Sequence, residues 1–475
     1  MEDSLLRSPC HREEEQSKKH GCCACLSLDR REAKLQASIA VPMIFTNLCV
    51  YSMTLVPVMF AGHLGDLELA GSTLANSWAF VSGFALLMGL SGALETLCGQ
   101  GYGAKTYRML GIYLQSSIIS TFFVCMIVSV LWFYAEPILI LLHQDAAVSR
   151  MASLYLRWLI PGIYAYAFLQ CFTRFLQTQS IVLPLVLCSI IPLAIEVAMS
   201  YFLVYKTSLG FKGAAVATSV SFWLSFLLLV LYVNMTETFQ DTWQGISMES
   251  LHYVFPFLKL AISSAVMVCL EYWAFEVLVF LAGMLAEPEK NTSLIAMCVN
   301  TEDLIYMITF GFSAAVSTRV SNEIGAGNPQ RAKNAVWVTL KLSVGLGVIM
   351  VISLATGHKL WASAFSGSQR IKNEFASMTM LLASSILLDA IQGVLSGVAR
   401  GCGWQHLAAW TNLAAFYGVG VPIAVFLAFK LELHAHGLWL GLICGLFCQV
   451  CILILIMLRS SWSSIVIKPD DVLNA

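Results

Sequence analysis

Six acidic residues lie inside long apolar stretches of this sequence, where ionisable side chains are rare. If such a stretch spans a membrane, an acid near its centre costs roughly 2.5–3.5 kcal/mol, so it is a candidate for function by default. Burial disfavours the charged carboxylate, which must then be protonated or be neutralised by a bound cation. A group that alternates between these two forms is what proton-coupled export of cations requires. The six acids are Glu196, Glu271, Glu276, Glu302, Asp303 and Asp389.

Helical geometry predicts different surroundings for acids that are neighbours in the sequence. Glu271 and Glu276 are separated by about 140° around a helix, so we expect them to face different cavities. Glu302 and Asp303 are separated by about 100°, which predicts that one faces a pore while the other packs. For Glu276 and for Glu196, a permanently protonated structural acid is the favoured interpretation.

Asp389 belongs to a polar face of its helix together with Ser385, Gln392, Gly393 and Ser396, as expected for the wall of a cavity. Aromatic side chains near the acids offer surfaces for planar or cationic molecules. The candidate cavity-lining residues are Asn47, Tyr272, Glu302, Asp303, Tyr306 and Gln392.

The composition indicates what kind of element positions these residues. The chain has 475 residues, of which 58% are hydrophobic and 12% are charged, whereas soluble proteins contain about a quarter charged residues. Apolar runs of about 20 residues, long enough to cross a bilayer as helices, recur along the sequence. We predict an all-α membrane protein of twelve transmembrane helices, at residues 36–60, 72–97, 109–134, 151–175, 182–205, 211–233, 256–285, 293–317, 334–357, 375–398, 406–429 and 436–458.

The loops on the side of the two termini contain twice as many Lys and Arg residues as the opposite loops, which predicts that both termini are cytoplasmic. Arg174 and Arg400 are counted among those loop residues. Asn291 begins a sequon on the outer or lumenal side and is a candidate glycosylation site. Cys22, Cys23 and Cys25 precede the first span, where they are either palmitoylation sites or incidental cysteines.

An internal repeat divides the chain into two halves. Residues 89–104 and 311–326 share six identities at a constant separation of 222, and Gln170 matches Gln392 at the same offset. Six helices in each half make the repeats parallel, as in many secondary transporters. We therefore predict a tail at 1–35, two pseudo-symmetric lobes at 36–233 and 256–458 joined by a linker at 234–255, and a second tail at 459–475.

Other chemistry finds little support in the sequence. The glycine-rich residues 99–103 lack the Lys and Ser/Thr of a phosphate-binding loop, so uphill transport would need an ion gradient. His434 and His436 have no further ligands near them in the sequence, and no metal or other cofactor is expected. An embedded enzyme would need a catalytic cluster, which we do not find, so the chain is not expected to be an enzyme.

Three motifs resemble the multidrug and toxic compound extrusion family, and the last two resemble its plant detoxification branch. They are GHLGDLELAG at 62–71, LETLCGQGYGA at 94–104 and STRVSNEIGAGNP at 317–329. The resemblance covers about residues 35–460. It implies a V-shaped protein of two lobes that works by alternating access and exports small organic compounds in exchange for protons. The family's acids match Glu271 and Asp389, which are therefore the proton-coupling candidates on both grounds.

The chain departs from the family pattern in its first half. Some bacterial members keep an acid in the first helix, where this sequence has Thr46, Asn47 and Tyr51, and Glu196 is not part of the pattern. The expected partners are protons, the lipid bilayer and a small organic substrate, with cationic or planar aromatic compounds favoured. A monomer without a nucleic-acid partner is expected, in the vacuolar or the plasma membrane.

Several alternatives remain at this point. Sodium coupling and a lipid-linked flippase of the same superfamily are the nearest ones. A major facilitator also has six plus six helices, but the basic loop with an Asp-Arg pair that such proteins carry between helices two and three is absent.

Overall fold

Twelve long helices make up almost all of the structure, a computed structural model that describes residues 29–365 and 369–462. No strand occurs within these ranges. Each helix is long and apolar enough to cross a membrane, so the predicted fold class is confirmed. The helices are α1 (Arg30–Gly62), α2 (Asp66–Gly103), α3 (Tyr107–Phe133), α4 (Ala146–Thr178), α5 (Leu183–Tyr205), α6 (Phe211–Met235), α7 (Met248–Ala282), α8 (Pro288–Gly325), α9 (Pro329–Ser363), α10 (Gln369–Cys402), α11 (Gln405–Lys430) and α12 (His434–Arg459).

Several helices extend beyond the apolar runs that predicted them, because capping and polar contacts continue them outside the hydrocarbon. Helix α1 begins at Arg30 rather than at residue 36, since the carboxylate of Asp29 accepts hydrogen bonds from the amides of Arg31 and Glu32. Helix α8 runs to Gly325, eight residues past its predicted end at residue 317. The cysteines at positions 22, 23 and 25 lie outside the described residues.

Two helices contain π-helical segments that the sequence pattern did not predict. One lies at Phe80–Phe84 in α2, and two lie in α11 at Leu413–Gly420 and Phe426–Lys430. Such segments are rare and are frequent at functional sites. The one in α2 contributes Phe80 and Phe84 to the cavity described below.

The segment between the two halves is held against α3. The amide of Gln115 donates to the carbonyl of Gly245 at 2.8 Å and accepts from the amide of Ser247 at 2.8 Å. Ser116 donates to the carbonyl of Ser250, and Arg108 pairs with Glu249 at the surface. The connection between the halves is therefore anchored to the first lobe.

Candidate functional site

Glu271 of α7 is buried and connects to α10 through an amide. Gln392 Nε2 donates to Glu271 Oε2 at 2.9 Å and to Ser396 Oγ at 3.0 Å. Tyr306 of α8 stands beside the carboxylate, and its ring packs edge-on against Tyr272, with 6.0 Å between the centroids. Glu271 thus contacts side chains of α8 and α10, the helices that carry Glu302, Asp303 and Asp389.

Asp389 of α10 lies beside a second acid of α8. Its carboxylate is within interaction distance of Glu302, and both residues are buried. Ser385 Oγ donates to Glu302 Oε2 at 2.8 Å, and Trp439 Nε1 of α12 approaches the same hydroxyl at 3.3 Å. The two carboxyl groups also contact each other, so one proton can be shared between them as a hydrogen bond.

Asp303 has different surroundings from its neighbour Glu302. It is half-buried and lies close to Tyr51 of the first lobe and to Tyr272 and Glu276 of α7. The structure therefore places Asp303 toward the opposite lobe and Glu302 inside its own lobe.

A buried ion cluster joins the two lobes. Glu95 of α2 is fully buried and pairs with Arg174 Nη1 and Arg400 Nε, each at 3.0 Å. Arg400 also donates to Ser313 Oγ at 2.7 Å, and both guanidinium groups lie 5.3 Å from the ring centre of Phe310. One carboxylate thus holds a cation from each lobe, with an aromatic ring beside both cations.

Arg174 and Arg400 correct the sequence-based assignment of both residues to loops. Their exposed fractions are 2% and 3%, and they lie within α4 and α10, near the C-terminal end of each helix. Glu95 was not singled out as an intramembrane acid, although it stands within the second motif. The cluster could have been predicted from the sequence, because one acid and two arginines lie just inside the ends of three long apolar runs.

Direct packing surrounds the ion cluster at the same end of the bundle. Gln100 donates to the carbonyl of Gly401 at 3.2 Å, Asn322 to that of Thr178 at 3.1 Å, and Gln177 to that of Ala314 at 3.1 Å. We call this inter-lobe contact the seam; it comprises residues 95–103, 174–178, 313–325 and 400–405.

The repeat reappears in the seam as reciprocal glycine contacts. A Cβ added at Gly103 would clash with the carbonyl of Asn322, and one added at Gly325 would clash with the carbonyl of Gln100. Both pairs are related by the offset of 222 found in the sequence. The two lobes therefore meet about a local two-fold axis, at points where only glycine leaves room for the opposite main chain.

A small cavity of about 60 Å³ lies between α1, α2 and α4, with α7 and α8 closing one side. Aromatic and small polar side chains dominate its wall, Arg174 is its one charged residue, and no carboxylate is among the described residues that line it. Its lining residues are Thr46, Asn47, Val50, Tyr51, Thr54, Phe80, Phe84, Met88, Tyr166, Gln170, Thr173, Arg174, Tyr272, Met307 and Phe310.

The predicted cavity residues divide into two groups. Asn47 and Tyr272 line the cavity, and Asn47 Nδ2 and Tyr272 Oη have no partner in the described residues. Glu302, Asp303, Tyr306 and Gln392 do not line it. The acids on which the preference for a cationic substrate rested are therefore not in the wall of this cavity.

Asn291, the candidate glycosylation site, lies in the first turn of α8 and is buried. Its amide donates to the carbonyls of Ala286 at 2.5 Å and Glu287 at 3.3 Å. Glycosylation at this residue would require the amide to leave both carbonyl groups.

Comparison with known proteins agrees with this architecture. The sequence model of the MatE family matches residues 42–202 and 263–426. The chain is 56% identical over 438 residues to Protein DETOXIFICATION 18 of Arabidopsis thaliana, covering 92% of this chain and 93% of that protein. It is 44% identical to Protein DETOXIFICATION 16 of the same plant, with 91% and 89% covered.

The crystal structure of the eukaryotic MATE transporter AtDTX14 superimposes with a TM-score of 0.89 at 39% identity, covering 92% of this chain and 97% of that one. A MATE in complex with MaL6 shares the fold at 16% identity, with a TM-score of 0.79. The two matched segments of the family model fall in the two lobes and leave the connection between them unmatched. The chain belongs to the MatE family and is a MATE transporter of twelve membrane-spanning helices.

Proposed function

We propose that this protein exports small organic compounds from the cytosol in exchange for protons, by alternating access. The observation that supports this most directly is the pair of buried acid centres, Glu271 with Gln392 and Asp389 with Glu302. Each centre joins two helices of the second lobe. A change in protonation would therefore change the contacts among α7, α8 and α10 rather than those of a single helix.

Arg400 supplies a route from these acids to the seam. Its charge acts on Glu271 within the second lobe, while its side chain pairs with Glu95 of the first lobe. When Glu271 binds a proton, Arg400 loses one of its two nearby negative charges. The balance of forces on the inter-lobe ion pair then changes, and this is how proton binding would alter the closure of the seam.

The cavity of the first lobe is our proposed substrate site, and planar aromatic compounds are the substrate class that it favours. Six aromatic rings face it, and Asn47 and Tyr272 offer unpaired polar groups. The positive charge of Arg174 disfavours a cation at that end of the cavity. We therefore place uncharged planar compounds ahead of organic cations.

The orientation belongs to the same proposal. With both termini in the cytoplasm, the seam lies on the cytoplasmic side, and the lobes are closed toward the compartment from which substrate enters. The protein would act as a monomer in the vacuolar or the plasma membrane.

Reconstituted vesicles test the proposal. Uptake of a fluorescent planar aromatic compound is measured under an imposed pH gradient for the wild type, Glu271→Gln and Asp389→Asn. We expect gradient-driven transport in the wild type and its loss in both variants. Glu289→Gln, which removes an exposed carboxylate of the same lobe, is the matched control and should transport normally.

Sodium provides the contrasting condition. The same vesicles receive a sodium gradient at equal pH on both sides. Transport that follows sodium and ignores pH, or that survives both substitutions, would overturn proton coupling through these acids. Transport of a quaternary ammonium dye in preference to the uncharged compound would overturn the substrate class alone.

A further inference from the structure

Glu196 is a buried acid of the first lobe. It belongs neither to the acid centres of the second lobe nor to the ion cluster around Glu95. This residue is near the middle of α5 and has an exposed fraction of 0%. Ser189 and Ser200 lie on the same buried face of the helix. That face packs against α1 and α6, so the carboxyl group is enclosed by protein and does not face lipid.

The opposite wall is rich in hydroxyl groups. Thr218, Ser221 and Ser225 form one buried stripe of α6, and Thr218 stands beside both Glu196 and the phenol of Tyr155 from α4. We call the group of Ser200, Thr218, Ser221 and Ser225 the hydroxyl layer.

Three hydroxyl groups of this region are unsatisfied. Thr218 forms a hydrogen bond with the carboxyl group of Glu196, whereas the hydroxyls of Ser200, Ser221 and Ser225 have no partner among the described residues. Buried polar groups in folded proteins are normally hydrogen-bonded, so several unpaired groups together indicate a ligand or water.

Among the described residues, no cation pairs with Glu196. Tyr155 of α4 is the titratable side chain that interacts with its carboxyl group. Helix α1 carries Cys49 and Tyr51 at this depth, and Tyr51 faces the cavity. Helix α6 carries Lys212 in its first turn and Tyr232 near its end. The neutral, protonated carboxyl group is therefore the form that fits this arrangement.

We propose that Glu196 is a second proton-binding site of the transporter, located in the first lobe, which takes up and releases a proton through water held by the hydroxyl layer. Helix α1 separates this site from the cavity: it packs against α5 on one side and lines the cavity with Asn47, Tyr51 and Thr54 on the other. A shift of α1 on substrate binding therefore changes the space around Glu196. The role in transport rests on the proposed proton coupling, whereas the proton site itself does not.

Infrared difference spectroscopy between acidic and alkaline pH tests the site on purified, full-length protein in detergent. We expect the wild type to show a protonated-carboxyl band that disappears on alkalinisation and is missing in Glu196→Gln. Glu196→Asp should keep a band at a shifted position. Glu289→Gln, which removes an exposed carboxylate, should leave this band unchanged.

Two results would overturn the proposal. In the first, Glu196→Gln removes the band, but the band of the wild type persists at every pH at which the protein stays folded. The acid is then permanently neutral. The other is a wild-type spectrum that Glu196→Gln does not change. If Glu196→Gln does not fold, Thr218→Val provides the second variant: the pH midpoint of the band should shift in it, and an unchanged midpoint counts against the site.

A vesicle measurement separates this proposal from proton antiport itself. The ratio of protons to substrate is expected to fall by one in Glu196→Gln while transport continues, and an unchanged ratio would contradict a role in the cycle. If the wild type moves no protons at all, the proposed function fails. The infrared titration would then still decide whether Glu196 binds a proton.

Discussion

Glu95 of the first lobe and Arg400 of the second form a fully buried ion pair, with 3.0 Å between Glu95 Oε2 and Arg400 Nε. Arg174 shares the carboxylate, so the cluster has one negative and two positive charges. Removing one member of a buried pair is far more harmful than removing an exposed one, because the remaining charge stays desolvated.

Glu95→Gln is therefore expected to destabilise the protein by about 3–5 kcal/mol, since two buried arginines lose their counter-charge. Thermal unfolding in detergent measures the change. The matched control is Glu249→Gln, which breaks the exposed pair with Arg108 and should cost at most about 1 kcal/mol. Equal effects of the two substitutions would show that the cluster does not hold the lobes together.

Gly103→Ala and Gly325→Ala are expected to open the seam, because each added methyl group meets a main-chain carbonyl of the other lobe. Cys402, buried in the last turn of α10 within the seam, should react faster with a thiol reagent in either variant. Gly357→Ala on α9 has open space around the new methyl group and should leave this thiol protected. Protection in all three variants would contradict the reciprocal contact.

Val50→Trp is expected to raise the KM for an aromatic substrate about tenfold, because the larger side chain fills part of the cavity. Substrate-dependent transport in vesicles gives the KM. Val41→Trp introduces the same residue on the same helix, but at an exposed position, and should leave the KM unchanged. If both variants behave alike, the cavity is not the substrate site.

Asp29 gives a pH-dependent contribution to stability. The amides of Glu32 and Arg31 and the side chain of Asn334 donate to its carboxylate, which lowers the pKa of Asp29 below its usual value. A lowered pKa in the folded state means that the stabilisation is present above the normal aspartate pKa and is lost as the pH falls. Asp29→Asn should therefore be less stable than the wild type near neutral pH, and the difference should shrink in acid. Unfolding temperatures measured across pH will show whether the two curves converge.

The sequence predicted the fold and the main acids because both depend on local signals. Apolar run length identifies membrane helices, and an acid within such a run is conspicuous. The helical angle between Glu302 and Asp303 predicted different surroundings for the two acids, and which of them faces the transport path stays a prediction. The ion cluster was missed because the partners of Glu95 are distant in the sequence and sit near helix ends, where arginine looks like a loop residue.

The cavity that we propose as the substrate site was predicted only in part. Asn47 and Tyr272 were among the predicted lining residues, whereas Phe80 and Phe84 were not. Both phenylalanines face the cavity from a π-helical segment of α2. A π-helix turns its side chains to other directions than an α-helix of about 3.6 residues per turn, so the α-helical period does not predict where they point. No acid lines this cavity among the described residues, so its wall gives no support to the predicted preference for cationic substrates. An acid within an apolar run indicates that an ionisable group is buried, but it does not indicate which cavity the side chain faces.

The contacts of Gly103 with Asn322 and of Gly325 with Gln100 have the geometry of an isologous interface, in which each partner offers the same patch to the other. Such self-complementarity normally belongs to a homodimer, and here it lies within one polypeptide. A homodimer must place identical residues on both sides of its axis. The single chain is free of that constraint, and it has Glu95 on one side where the equivalent position on the other is Ser317. Fusion of two like halves thus permits a polarised contact that symmetric subunits could not build.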